Sequence, residues 1–135
     1  MNREEFLKQL TATALLTCTC GFIGCSSDSE PIPTTIDFTL DLSQSQNAAL
    51  NSPGGSVSAN GLIIARLSST EFTALSRACT HAGTPVNYRA NEQDFLCPNH
   101  GSIFSTNGSV VRGPATSALR KFNTELNGNL LRVFS

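Results

Sequence analysis

Apolar and polar residues alternate along residues 36–42, Ile36-Asp37-Phe38-Thr39-Leu40-Asp41-Leu42. A period of two puts the apolar side chains on one face, which predicts a half-buried strand. Asn51-Ser52-Pro53-Gly54-Gly55 then reads as a turn cluster. Asn60-Gly61 joins residues 56–59 to the apolar run 62–67, and an Asn-Gly pair in that setting predicts a hairpin. Residues 72–78 read as a further strand, with brief ones at 86–88 and 94–96. Two more Asn-Gly pairs follow: Asn107-Gly108 separates 103–105 from 109–112, and Asn127-Gly128 separates 122–126 from 130–134. The last is the cleanest hairpin signal in the chain. No long amphipathic helix and no internal repeat interrupts the series. Many strands at short, even spacing predict an all-β fold, an antiparallel β-sandwich or a small barrel-like variant.

The pattern changes ahead of residue 35. Residues 26–34 are polar and contain Pro31 and Pro33, the composition of a flexible tether. Residues 1–25 read as a targeting segment: a short polar start, a mildly apolar stretch from Leu10 to Gly24, then Phe22-Ile23-Gly24-Cys25. Two apolar residues and a glycine before a cysteine resemble a bacterial lipobox. That resemblance implies cleavage before Cys25 and lipid attachment to its thiol, each buried methylene contributing about 0.8 kcal/mol to anchoring. Cys18, after Leu15-Leu16-Thr17, fits such a signal less well. An uncleaved anchor helix fits poorly too, because the stretch falls short of the roughly 20 apolar residues a span needs. The expectation is a membrane-anchored lipoprotein of the bacterial cell envelope, facing the periplasm or the exterior, with a domain at 35–135.

Charge narrows the choice of partners. The 135 residues carry a formal net charge of −1, and 39% of them are hydrophobic, which suits one small domain plus an extension. Past residue 25 there are seven basic and eight acidic residues, again −1. Six of the seven basic residues are scattered arginines, so no tract suits nucleic acid. No nucleophile–base pair and no phosphate-binding glycine loop is present; no catalytic residue is predicted, and a cofactor has to carry the chemistry.

The cysteines and histidines say which cofactor. Of five cysteines, Cys18, Cys20 and Cys25 crowd the N-terminus, a spacing unlike a disulfide scaffold. The other two accompany the chain's two histidines, as Cys79-Thr80-His81 and Cys97-Pro98-Asn99-His100. Two thiolates and two imidazoles on two short loops suit one tetrahedral zinc ion or an iron–sulfur centre.

The flanking residues decide between them. Cys79-Thr80-His81-Ala82-Gly83-Thr84, Cys97-Pro98-Asn99-His100-Gly101-Ser102-Ile103-Phe104 and Gly113-Pro114-Ala115 together resemble the Rieske family. The resemblance implies a Rieske-like antiparallel β-sandwich with a small cluster-binding subdomain of two loops. It implies a [2Fe–2S] cluster with Cys79 and Cys97 on the buried iron and His81 and His100 on the outer one. Gly113-Pro114 looks like the loop that covers the cluster, and Ser102 matches a serine that hydrogen-bonds cluster sulfur. Neutral imidazole in place of thiolate removes negative charge, which raises the potential above that of all-cysteine ferredoxins.

Two departures separate this chain from the quinol-oxidising branch. That branch joins its two loops by a disulfide, where this chain has Thr84 and Asn99. It also has a tyrosine where Phe104 stands here, and the missing hydroxyl lowers the expected potential. The implied function is electron transfer, as a membrane-tethered carrier or small subunit of an oxidoreductase or respiratory complex. Its partner is then a redox protein or a quinol-linked membrane complex. The alternatives are a soluble Rieske ferredoxin supplying an oxygenase and a zinc-binding structural module.

Overall fold

A computed structural model describes residues 35–135. The expected signal segment, Cys25 and the expected tether all lie outside the described residues. Ten strands and one short 3-10 helix make up the domain. The strands are β1 (Asp37–Asp41), β2 (Ser56–Ala59), β3 (Leu62–Arg66), β4 (Phe72–Ser76) and β5 (Asn87–Arg89). After them come β6 (Asp94–Leu96), β7 (Ile103–Ser105), β8 (Val110–Arg112), β9 (Lys121–Asn127) and β10 (Leu130–Phe134). A six-stranded sheet has the order β1-β10-β9-β4-β3-β2 and a four-stranded sheet the order β5-β6-β7-β8. Every pairing is antiparallel.

β4 and β9 are paired through only Ala74–Phe122 and Leu75–Lys121, so the larger sheet is two three-stranded halves joined at a narrow seam. Side chains from both halves meet in one core: Ile36, Leu131 and Val133 from one, Leu62, Ile64, Phe72 and Ala74 from the other. A second core joins Ile63, Ala65 and Leu75 to Val86, Phe95 and Phe104 of the smaller sheet's region. The alternate residues of β3 therefore enter different cores. A strand buried on both faces reads as a continuous apolar run, and Leu62-Ile63-Ile64-Ala65 does. The all-β antiparallel architecture expected from the sequence is present, arranged as three layers around two cores, with β3 and β4 in the middle.

The turns follow local chemistry. Ala59 pairs with Leu62, leaving Asn60-Gly61 as a two-residue loop with φ of 51° and 76°. Positive φ at both positions is what the primed hairpin turn requires. In the last hairpin Leu130 pairs with Asn127, so the loop is Gly128-Asn129, one residue later than the Asn-Gly pair predicts. The 3-10 helix Ser45–Asn51 has no counterpart in the sequence reading. It buries Leu50 completely, and Arg66 donates to the Leu50 carbonyl at 3.0 Å. Tyr88 packs on Phe95 at 5.1 Å between ring centres, and Asp94 is paired by Arg89 at 2.6 Å, so both are structural.

Candidate metal centre

The two ligand loops have the same backbone frame. In the first, the Cys79 N–H donates to the Thr84 carbonyl at 2.9 Å and the Gly83 N–H to the Cys79 carbonyl at 2.7 Å. In the second, the Cys97 N–H donates to Ser102 at 2.8 Å and the Gly101 N–H to Cys97 at 3.0 Å. The offsets of five and four residues are identical in both. Gly83 and Gly101 hold φ of 73° and 79°, a left-handed conformation that a Cβ opposes by roughly 1–2 kcal/mol. The first loop follows β4 and closes where Ala78 bridges Pro85. β4 ends at Ser76, short of the predicted residue 78. The second loop connects β6 to β7 above the Leu96–Ile103 pair.

This frame sorts the four side chains. Cys79 and Cys97 are 3% and 1% exposed, and neither is in a disulfide, whereas His81 and His100 are exposed. The imidazole rings stand edge to face, 4.8 Å between centres. Burial pushes the Cys97 thiol up. Hydrogen bonds from the Asn99 backbone, the Cys79 side chain, the His100 backbone and the Thr84 side chain outweigh it and hold the thiol below its ordinary value.

Residues 113–119 tie the two loops to each other. Ser102 is wholly buried, and its Oγ accepts the Ala115 N–H at 3.0 Å, leaving the hydroxyl proton free to be donated. Thr80 Oγ1 donates to the Ser117 carbonyl at 2.6 Å, and Arg112 Nε to the Gly101 carbonyl at 3.1 Å. The Gly113–Pro114 peptide is cis. The contacts of Thr80, Arg112, Ala115 and Ser117 carry no signal in the sequence, because each spans 11 to 37 residues of chain.

Among the described residues, no three Cys, His, Asp or Glu side chains gather around a point that one metal ion could occupy. Two buried thiols and two exposed imidazoles fit a centre that takes its ligands in pairs, two from each kind, better than one tetrahedral zinc ion. An all-β domain presenting two matched loops with that donor set is a metal-cluster domain. The chain belongs to the Rieske [2Fe–2S] domain family, whose model matches residues 39–123. The cofactor of that domain is a [2Fe–2S] cluster with Cys and His ligands.

The chain is 41% identical over 61 residues to the cytochrome b6-f complex iron-sulfur subunit of Microcystis aeruginosa, covering 45% of this chain and 34% of that subunit. The equivalent subunit of a Synechococcus strain is also 41% identical, over 58 residues. The chain thus spans about a third of the length of these curated relatives. Among solved structures, the plasma membrane Rieske protein PetC3 of Synechocystis is 33% identical with a TM-score of 0.50. That match covers 53% of this chain and 74% of the other. The ferredoxin of carbazole 1,9a-dioxygenase from Nocardioides aromaticivorans has a TM-score of 0.53 at 21% identity, a likeness of fold. It covers 63% of this chain and 90% of the ferredoxin.

Proposed function

We propose that this domain transfers single electrons through a [2Fe–2S] cluster held by Cys79 and Cys97 at the buried iron and His81 and His100 at the outer one. The observation that carries this is the sorting of the four side chains: matched loops put both thiols inside and both imidazole rings side by side at the surface. The cluster supplies the redox chemistry; the protein supplies burial, orientation and an exposed edge. Buried thiolates keep water from the inner sulfurs, while the imidazoles leave a short path to a docked partner. Ser102, free to donate, is assigned to a cluster or cysteine sulfur. Redox titration of the loaded protein with dye mediators is expected to show one reversible one-electron wave. Absence of such a wave in protein holding two irons contradicts the function while leaving the cofactor assignment intact.

In the cell, the domain serves as a membrane-tethered carrier or as the small subunit of an oxidoreductase complex. The likeness to cytochrome b6-f subunits and to a plasma membrane Rieske protein supports a membrane-linked partner. The lipobox-like Phe22-Ile23-Gly24-Cys25 supports attachment through lipid on Cys25, in the cell envelope with the domain outside the cytoplasm. Labelling cells with radioactive palmitate is expected to mark the protein cleaved before Cys25 and not the Cys25→Ala variant; label retained in that variant contradicts Cys25 as the site. Thr84 and Asn99 support a centre without the inter-loop disulfide, and Phe104 supports a potential below that of the quinol-oxidising branch.

A further inference from the structure

The equivalence of the two loops extends to their last residues. Thr84 and Ser102 each stand five positions past a ligand cysteine, and the carbonyl of each receives that cysteine's N–H. Each hydroxyl is also held as an acceptor from outside its own loop. Ala115 N–H donates to Ser102 Oγ at 3.0 Å, and Asn99 Nδ2 donates to Thr84 Oγ1 at 3.2 Å. A hydroxyl that accepts in this way still has its own proton to give. Asn99 belongs to the opposite loop, two residues after Cys97. Its amide therefore bridges the two ligand loops directly and sets the Thr84 hydroxyl at the same time.

We propose that Thr84 is the first loop's counterpart of Ser102, a positioning residue whose hydroxyl proton is directed at ligand sulfur by the Asn99 amide. This rests on the cluster assignment above. A donor to sulfur stabilises the more negative reduced state and raises the potential. The Asn99–Thr84 bond, having no reducible bond of its own, also holds the loops together regardless of thiol reductants.

The experiment uses the loaded full chain and four variants: Thr84→Val, Thr84→Ser, Asn99→Ala and the Thr84→Val/Asn99→Ala double. Two quantities are read, the midpoint potential and the rate at which a chelator removes iron. Thr84→Val is expected to lower the midpoint in the same direction as Ser102→Ala, and Thr84→Ser to restore it. Asn99→Ala and Thr84→Val are each expected to speed iron loss about fivefold, the factor for one ordinary neutral hydrogen bond. The double variant should be no faster than the faster single one, because both break the same bond. An unchanged midpoint in Thr84→Val, or multiplicative rates in the double variant, overturns the proposal. Iron and sulfide content of the unaltered chain separates the two levels. Two irons with either overturning result removes only the role of Thr84, whereas one zinc removes the cluster assignment and this role with it.

Discussion

The two ligand loops share one hydrogen-bond frame but have unequal support. The second loop is the connection of a hairpin, between β6 and β7, and its last residue, Ser102, is completely buried under Ala115. The first is anchored on the middle-layer strand β4 and closed by a single bridge, and its last residue, Thr84, is only half-buried beneath an exposed asparagine. A shared backbone frame thus places a buried thiol twice, while the histidine offset, two residues against three, and the packing around the frame differ. Tolerance to change should be greater on the first loop than on the second.

Removing a ligand tests the frame itself. Cys97→Ala is expected to abolish the cluster and its visible absorbance, whichever loop is otherwise the firmer; retained absorbance with two irons contradicts the ligand set. Alanine at the paired glycines separates the loops. Gly83→Ala meets only the left-handed backbone penalty, about 1–2 kcal/mol, since nothing lies within 4 Å of its Cβ position. Gly101→Ala meets the same penalty and brings its Cβ to 3.2 Å from Arg112 Nη2, so it should destabilise more in thermal unfolding. Equal losses would remove the asymmetry.

Ser102→Ala should lower the midpoint by roughly 60 mV, the one-electron equivalent of a hydrogen bond to a charged group. Phe104→Tyr should raise it, because a hydroxyl is added beside the cluster region; an unchanged or lower value would count against the reading of Phe104. The smallest effect belongs to the β1–β10 pair, whose buried residues lie in a different core from the two cysteines. The Arg132 guanidinium, hydrogen-bonded to Asp37 at 2.9 and 2.7 Å, holds that carboxyl below its usual value. A depressed acid contributes stability above its ordinary pKa and loses it as pH falls through the lowered one. Asp37→Asn should therefore flatten the acid limb of the stability curve slightly and leave the midpoint potential unchanged. Because both side chains are well exposed, salt should erase the difference.

Strands carried by alternation or by an Asn-Gly turn were legible in the chain, because both signals are local. β1, the β2–β3 hairpin and the β9–β10 hairpin are of that kind, with the last turn displaced by one residue. The division of β3 between two cores was not legible, since an all-apolar run does not tell one buried face from two. Nor was the 3-10 helix, whose Gln44 makes no side-chain capping hydrogen bond and whose seven residues show no helical period. At the candidate centre, Cys79, His81, Cys97, His100 and Ser102 were proposed from a spacing that is short and chemically restrictive. The contacts that hold them, Thr80 to Ser117, Ala115 to Ser102 and Asn99 to Thr84, join segments that only the fold brings together. Thr84 and Asn99 could be seen to lack thiols; that they touch could not.

Pairing of the donors, two thiols within and two imidazoles without, is the centre of this account. Analysis of purified protein for iron, zinc and acid-labile sulfide, with an EPR spectrum of the reduced form resolving ligand nitrogen couplings, tests it most directly. Two irons and two sulfides per chain are expected, the composition of the family's cluster, with nitrogen coupling altered in His81→Ala and in His100→Ala and absent when both are replaced. A colourless protein with one zinc, or an iron–sulfur signal without nitrogen coupling, would contradict it.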